Sequence, residues 1–195
     1  MTAAVHRLVA LGASWGGITA MRSILPELTL PSDTAMVAVV HRQPVRSSLA
    51  QTLARAGGPP VEEAEDKLPL KPGMVHIAPP DYHLLVEPGW LALSTEEPVK
   101  YSRPSIDVLL ESAAASFGER LVAVMLTAAS QDGADGARAV HRHGGHVVVQ
   151  DPATAEDATM PMAVIAAGVA DSVVALSDMA MAIEEQLNRM PRGDR

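Results

Sequence analysis

At 195 residues the chain fits one domain of ordinary size, and its 48% hydrophobic content provides for a sizeable core that, with only 3% aromatics, must be mostly aliphatic. The formal charge of −8 at pH 7 argues against a nucleic-acid partner, whose phosphates require a Lys/Arg surplus, and the absence of cysteine excludes disulfides and thiolate metal sites. No apolar run is long enough to span a bilayer and the N-terminus does not read as a signal peptide, so a cytoplasmic protein is expected, as one domain over residues 1–195 with a core of about 8–189.

Aliphatic runs alternate with helical patterns along the chain. Leu8-Val9-Ala10-Leu11 reads as a first buried strand, closed by Gly12-Ala13-Ser14-Trp15-Gly16-Gly17, with a helix from about Ile18 to Leu25 stopped near Pro26. Ala35–Val40 is a second buried strand, and a helix from about Val45 to Ala56 ends at Gly57-Gly58-Pro59-Pro60. Met74–Ala78, Tyr82–Glu87 and Trp90–Ser94 are short strands split by tight turns, which predicts an antiparallel hairpin. Then follow a helix over Ile106–Phe117 with Pro104 suited to its first turn, a strand over Leu121–Leu126 and a helix over Gly133–His143. A strand over His146–Gln150, a short helix over Met160–Ala167 and a strand over Val173–Leu176 complete the alternation. Ser177 or Asp178 is placed to cap a closing helix to about Met190, and Pro191–Arg195 reads as a frayed tail. The pattern predicts an α/β fold: a three-layer, Rossmann-like parallel sheet flanked by helices, with an antiparallel β-hairpin.

Gly12-Ala13-Ser14-Trp15-Gly16 fits G-x-S-x-G between a predicted strand and helix. A serine on such a sharp turn is pushed towards solvent, and the helix N-terminus behind it offers N–H groups to an oxyanion. A phosphate-binding turn and a plain turn stay open as alternatives, although the G-x-G-x-x-G spacing and a phosphate-loop lysine are absent. Among seven histidines, His41 ends the second predicted strand, on the sheet edge expected to carry Ser14. Asp132 follows the Leu121–Leu126 strand and precedes a helix, where capping that helix is the plainer reading. His141, His143 and His146 lie close in sequence, but with no cysteine or nearby acidic cluster to complete a site, no metal and no cofactor are expected.

The set Gly12-Ala13-Ser14-x-Gly16-Gly17, His41 and Asp132-Gly133 resembles the catalytic domain of bacterial chemotaxis protein-glutamate methylesterases, the CheB type. Further segments agree in order: Pro72-Gly73 with Ile77-Ala78-Pro79, Asp81-x-His83, Arg103-Pro104-Ser105-Ile106-Asp107, Gln150-Asp151-Pro152 and Met160-Pro161. The likeness runs from about Leu8 to Val174. It implies a serine esterase that hydrolyses glutamate methyl esters on the cytoplasmic helices of methyl-accepting chemoreceptors, with glutamine deamidation by the same machinery. Ser14 would be the nucleophile, His41 the base and Asp132 the acid that orients it. The Ala129 N–H would be the oxyanion donor, and Trp15, Gly16 and His83 would edge the substrate site.

Three departures stand out. The family pattern T-G-M-G-x-D-G reads Thr127-Ala128-Ala129-Ser130-Gln131-Asp132-Gly133, so two glycines are replaced and positive φ is restricted there. Trp15 stands where a small or hydroxyl residue is usual. Only seven residues precede the first predicted strand, so the usual receiver domain is not expected in this sequence, and constitutive activity, regulation by a partner such as a separate response regulator, and service in a chemosensory system outside motility stay open as expectations. The altered loop supports a competing expectation, a catalytically weak module that binds chemosensory proteins. A nucleotide-binding α/β protein is the third, disfavoured by the missing lysine.

Overall fold

The computed structural model describes residues 4–42 and 49–191. Its elements in chain order are β1 (Arg7–Ala13), α1 (Gly17–Ile24), β2 (Thr34–Val40), α2 (Leu49–Ala54), β3 (Val61–Glu63), β4 (Leu68–Pro69), β5 (Val75–Ile77), β6 (His83–Glu87) and β7 (Trp90–Ser94). They continue with α3 (Ile106–Phe117), β8 (Leu121–Met125), α4 (Ala134–Arg142), β9 (His146–Gln150), α5 (Thr159–Ala166), β10 (Ser172–Val174) and α6 (Met179–Arg189).

One sheet has the order β10-β9-β8-β1-β2-β5-β3 with every neighbouring pair parallel, and a small antiparallel sheet has the order β4-β7-β6. β1 and β2 are buried along their whole length, which is why they read as unbroken aliphatic runs. Their side chains still alternate by layer. Leu8 and Ala10 pack with α3 and α4, whereas Val9, Leu11 and Ala13 pack with α1 and α6.

Helix α3 is the central buttress. Ile106, Leu109, Leu110, Ala113, Ala114 and Phe117 repeat at helical spacing and are buried, each leucine contributing about 1.5–3 kcal/mol by its removal from water. Ser105 caps it, its Oγ accepting from the Val108 N–H, and Gly118 ends it at φ +53°. Pro104 therefore precedes the cap rather than lying in the first turn.

Several expectations need correction. Met74–Ala78 does not belong to the antiparallel hairpin: β5 lies in the large sheet, parallel to β2 and β3. The hairpin is β6 with β7, and β4 extends it. Neither β3 nor β4 was expected, because Val61-Glu62-Glu63 is short, charged and at a sheet edge, and Leu68-Pro69 has only two residues. Asp178 stands at the start of α6 without a side-chain capping bond; its carboxylate accepts from the Ser177 hydroxyl instead. The first half of the expected Val45–Ala56 helix falls largely outside the described residues, as does most of the expected tail. Among the described residues no helix is long and apolar enough to cross a membrane.

The topology places one crevice. From β1 the chain moves to β2 on one side and, much later, to β8 on the other, so the sheet's direction of winding reverses at β1. Segments leaving the C-terminal ends of β1, β2 and β8 diverge there, where open α/β sheets bind ligands.

Candidate active site

The three strand ends are locked in register just beyond the sheet. The Ser14 N–H donates to the Thr127 carbonyl (3.0 Å) and the His41 N–H to the Ala13 carbonyl (3.0 Å), placing Ser14 between the ends of β2 and β8. Gly16 then takes φ +77° at the start of α1, a left-handed conformation that turns the chain from strand into helix. Ser14 is half-buried and Trp15 is 65% exposed. Together with Gly16, Ile18, Thr19, His41, Arg42 and Glu156 they line a cavity of about 550 Å³.

Asp132 is fully buried and accepts four hydrogen bonds. His41 Nε2 (2.8 Å) and the Ile106 N–H (2.7 Å) reach Oδ2, and Ser105 Oγ (2.8 Å) and the Asp107 N–H (3.1 Å) reach Oδ1. Asp132 does cap a helix, but not the one it precedes. It caps α3, while α4 begins at Gly133 with no side-chain cap of its own. Asp107, in the first turn of α3, supplies the missing cap by accepting from the N–H groups of Gly133 (2.8 Å) and Gly136 (2.7 Å). Each helix thus lends a carboxylate to the other's positive end. Lys100 Nζ joins Asp107 to Asp135, at 2.7 Å from each.

The two carboxylates shift in opposite directions. Burial pushes Asp132 up, but the bonds from His41, Ile106, Ser105 and Asp107 outweigh it and hold the carboxyl below its ordinary value. Burial pushes Asp107 above its ordinary value, the charge of Asp132 adds to this, and Lys100 and Gly136 offset it only in part. An ionised Asp132 is acceptor-only, so His41 Nε2 must be the donor in their bond. In the neutral imidazole the free acceptor nitrogen is then Nδ1, on a side chain 14% exposed in the cavity wall.

Not every expected residue lies at the cavity. His83 is 2% exposed and outside its wall. Its Nδ1 accepts from the Ser105 N–H (3.2 Å) and its Nε2 donates to the Glu97 carbonyl (3.1 Å), so it braces the segment behind Asp132 instead of edging the site. Ala129 is exposed on the loop after Thr127 and also lies outside the wall. The two replaced glycines cost this loop no strain, because neither Ala128 nor Ser130 has positive φ. Only Gly133 does, at +113°, and it is retained. Backbone strain at these two positions is therefore no ground for expecting a weakened module. Among the described residues no group of His, Asp and Glu is arranged to hold a metal; His143 Nδ1 instead bonds the Ala139 carbonyl.

Sequence reasoning missed the roles of Ser105, Asp107, Lys100, Thr127 and Gln150. The Thr127 hydroxyl donates to the Trp15 carbonyl (2.9 Å) and accepts from the Asp157 N–H (2.9 Å), while Gln150 Oε1 accepts from the Thr127 N–H (2.8 Å). Ser105, Asp107 and Gln150 lie within segments quoted for the family resemblance, which was the available signal. Arg42 and Glu156 carried none.

Comparison with known proteins shows the family. Residues 9–183 match the CheB methylesterase family. A relative from Leptospira interrogans is 41% identical over 179 residues, covering 90% of this chain and 92% of that protein. A protein-glutamate methylesterase/protein-glutamine glutaminase from a Nocardioides species is 40% identical over 190 residues, 94% of this chain but 51% of that protein, so the chain spans about half its length. The crystal structure of the Thermotoga maritima CheB methylesterase catalytic domain superposes with a TM-score of 0.87 at 32% identity, covering 94% of this chain and 98% of that one.

Proposed function

Because the chain belongs to the CheB methylesterase family, we propose that it is a protein-glutamate methylesterase acting on glutamate methyl esters of chemoreceptor helices, with glutamine deamidation as a second reaction of the same site. The observation that carries the reading is the bond between His41 Nε2 and the buried, low-pKa Asp132 at the edge of the cavity that Ser14 also lines. That bond commits the imidazole to one tautomer and leaves Nδ1 as the base.

Ser14 Oγ attacks the ester carbonyl as His41 Nδ1 takes its proton. The imidazolium is stabilised by Asp132, which has no need to accept a proton itself. The oxyanion is met by the N–H groups at the start of α1, beside the nucleophile turn that the Ser14–Thr127 backbone bond anchors to the acid loop. His41 returns the proton to the departing methoxide, releasing methanol. Water, activated by the same nitrogen, then hydrolyses the acyl-enzyme to glutamate and free Ser14. An amide substrate follows the same course with ammonia leaving. Substrate helices that face the cytoplasm require the enzyme to act there.

Methanol release from methylated receptor cytoplasmic fragments, compared with Ser14→Ala, tests this directly. The expected outcome is release that falls by at least ~10³-fold in the variant. A folded wild-type protein that releases no methanol from a panel of receptor fragments would remove the proposal.

A further inference from the structure

The cavity wall beside Ser14 is asymmetric in charge. Arg42, one of its charged side chains, is held by Glu63 at 3.1 Å. Glu156, another, has no cationic partner among the described residues. It sits against the nucleophile turn: a Cβ built on Gly16 would lie 2.6 Å from Glu156 Oε2 and 2.7 Å from its Cβ. Trp15 adjoins it, because the single Thr127 hydroxyl bonds both the Trp15 carbonyl and the Asp157 N–H. The exposed Trp15 and a carboxylate with no cationic partner among the described residues thus line the same cavity on either side of Gly16.

We propose that Trp15 and Glu156 form a subsite for a cationic side chain carried by the substrate next to the scissile ester. The inference rests on the esterase reading for the identity of that substrate. An indole face attracts an ammonium or guanidinium group, and a carboxylate beside it supplies the counter-charge. Asp132 behind His41 adds a further negative charge, and Glu63 offsets Arg42, so among the described residues the wall carries no uncompensated positive charge to oppose a cation. On a helical substrate the recognised Lys or Arg stands one turn from the esterified glutamate, where neighbouring side chains are about 5–6 Å apart at Cβ. The same carboxylate disfavours acidic neighbours at those positions.

The test uses Ser14→Ala protein, so that the ester survives and binding is read without turnover. Three helical peptides share a central glutamate γ-methyl ester and carry lysine, glutamine or glutamate one turn to either side of it. Calorimetric titration is expected to show the lysine peptide binding about tenfold tighter than the glutamate peptide, as expected for one exposed cation–π contact plus one surface ion pair. Adding Glu156→Gln, an exposed substitution, is expected to bring that ratio within about twofold, and adding Trp15→Ala to weaken the lysine peptide most. Equal binding of the three peptides, binding of none, or a ratio that survives Glu156→Gln would overturn the subsite. These outcomes are independent of methanol release, so loss of the esterase reading and loss of the subsite are distinguishable.

Discussion

The two loops that meet at the crevice use glycine for different reasons. The nucleophile turn, Gly12 to Gly17, needs it: Gly16 lies at φ +77° with Glu156 packed where a side chain would go. The acid loop, Thr127 to Gly133, has only one such position, Gly133. Neither 128 nor 130 takes positive φ, and the Ala128 backbone bonds the Asp157 carbonyl and the Met160 N–H (both 3.1 Å). A glycine in a motif is thus not by itself evidence of a left-handed backbone. The φ that the position takes decides whether its loss matters.

The sharpest way to test the acid loop is at its carboxylate. Asp132→Asn keeps the shape, and its remaining oxygen can still accept from Ser105 and Asp107 at the Oδ1 position, but the amide nitrogen at the Oδ2 position cannot accept from the Ile106 N–H. It presents an amide N–H to His41 Nε2, however, which reverses the tautomer and protonates the nitrogen meant to act as base. A loss of kcat of about 10⁴ is expected, as for the equivalent change in serine proteases. Stability offers a second readout. Asp132 is held below its ordinary value, so in the range below the unfolded carboxyl pKa of about 3.9 the unfolded chain binds more protons. Its contribution is present above that pKa and is lost as pH falls through the lowered folded value. Asp107 is raised and acts in the opposite sense, costing stability as pH climbs through its folded value. Acid unfolding followed by circular dichroism should therefore depend less on pH in the variant at the low end. An unchanged acid limb would mean the four bonds to Asp132 do not hold it ionised.

How much of this was legible beforehand follows from which interactions are local. β1, β2, α3 and β9 were read correctly because a buried aliphatic run or a helical repeat is visible within a few residues. Met74–Ala78 was recognised as a strand but given the wrong partners. A short extended run does not say whether it pairs with its neighbour in sequence or, as here, with Met36–Ala38. The site divides the same way. Ser14, His41 and Asp132 each mark a strand end or a helix start, positions that a sequence reading singles out as candidates. The exchange of caps between α3 and α4 joins residues about 26 positions apart, through two helix N-termini that meet only after folding. Nothing local announces it. His83 was misplaced for a related reason: its position in a motif was readable, but its burial behind Ser105 was not.

A smaller effect is expected at the nucleophile turn. Gly16→Ala forces a Cβ onto a left-handed residue, at about 1–2 kcal/mol, and displaces Glu156. The melting temperature should fall, and because a shift of about 1 Å at a reacting group can cost ~10² in rate, kcat should fall by a comparable factor. Full activity in Gly16→Ala would show that the turn tolerates a wider range of geometry than its φ implies.

The smallest effect should come from restoring the two absent glycines. Ala128 is fully buried, so Ala128→Gly removes a packed methyl and frees the unfolded backbone, at a combined cost of about 1–2 kcal/mol. Ser130→Gly removes a hydroxyl that is buried without a hydrogen-bond partner, so its loss offsets the added backbone freedom and the net change should stay within about 0.5 kcal/mol. Neither variant should raise kcat, because neither position takes positive φ. Denaturant unfolding and methanol release on the single and double variants would separate the two contributions. A rise in kcat of tenfold or more in the double variant would reverse the conclusion. The acid loop would then be held out of its best geometry by Ala128 and Ser130, and the left-handed conformation absent from this structure would be the one that catalysis uses.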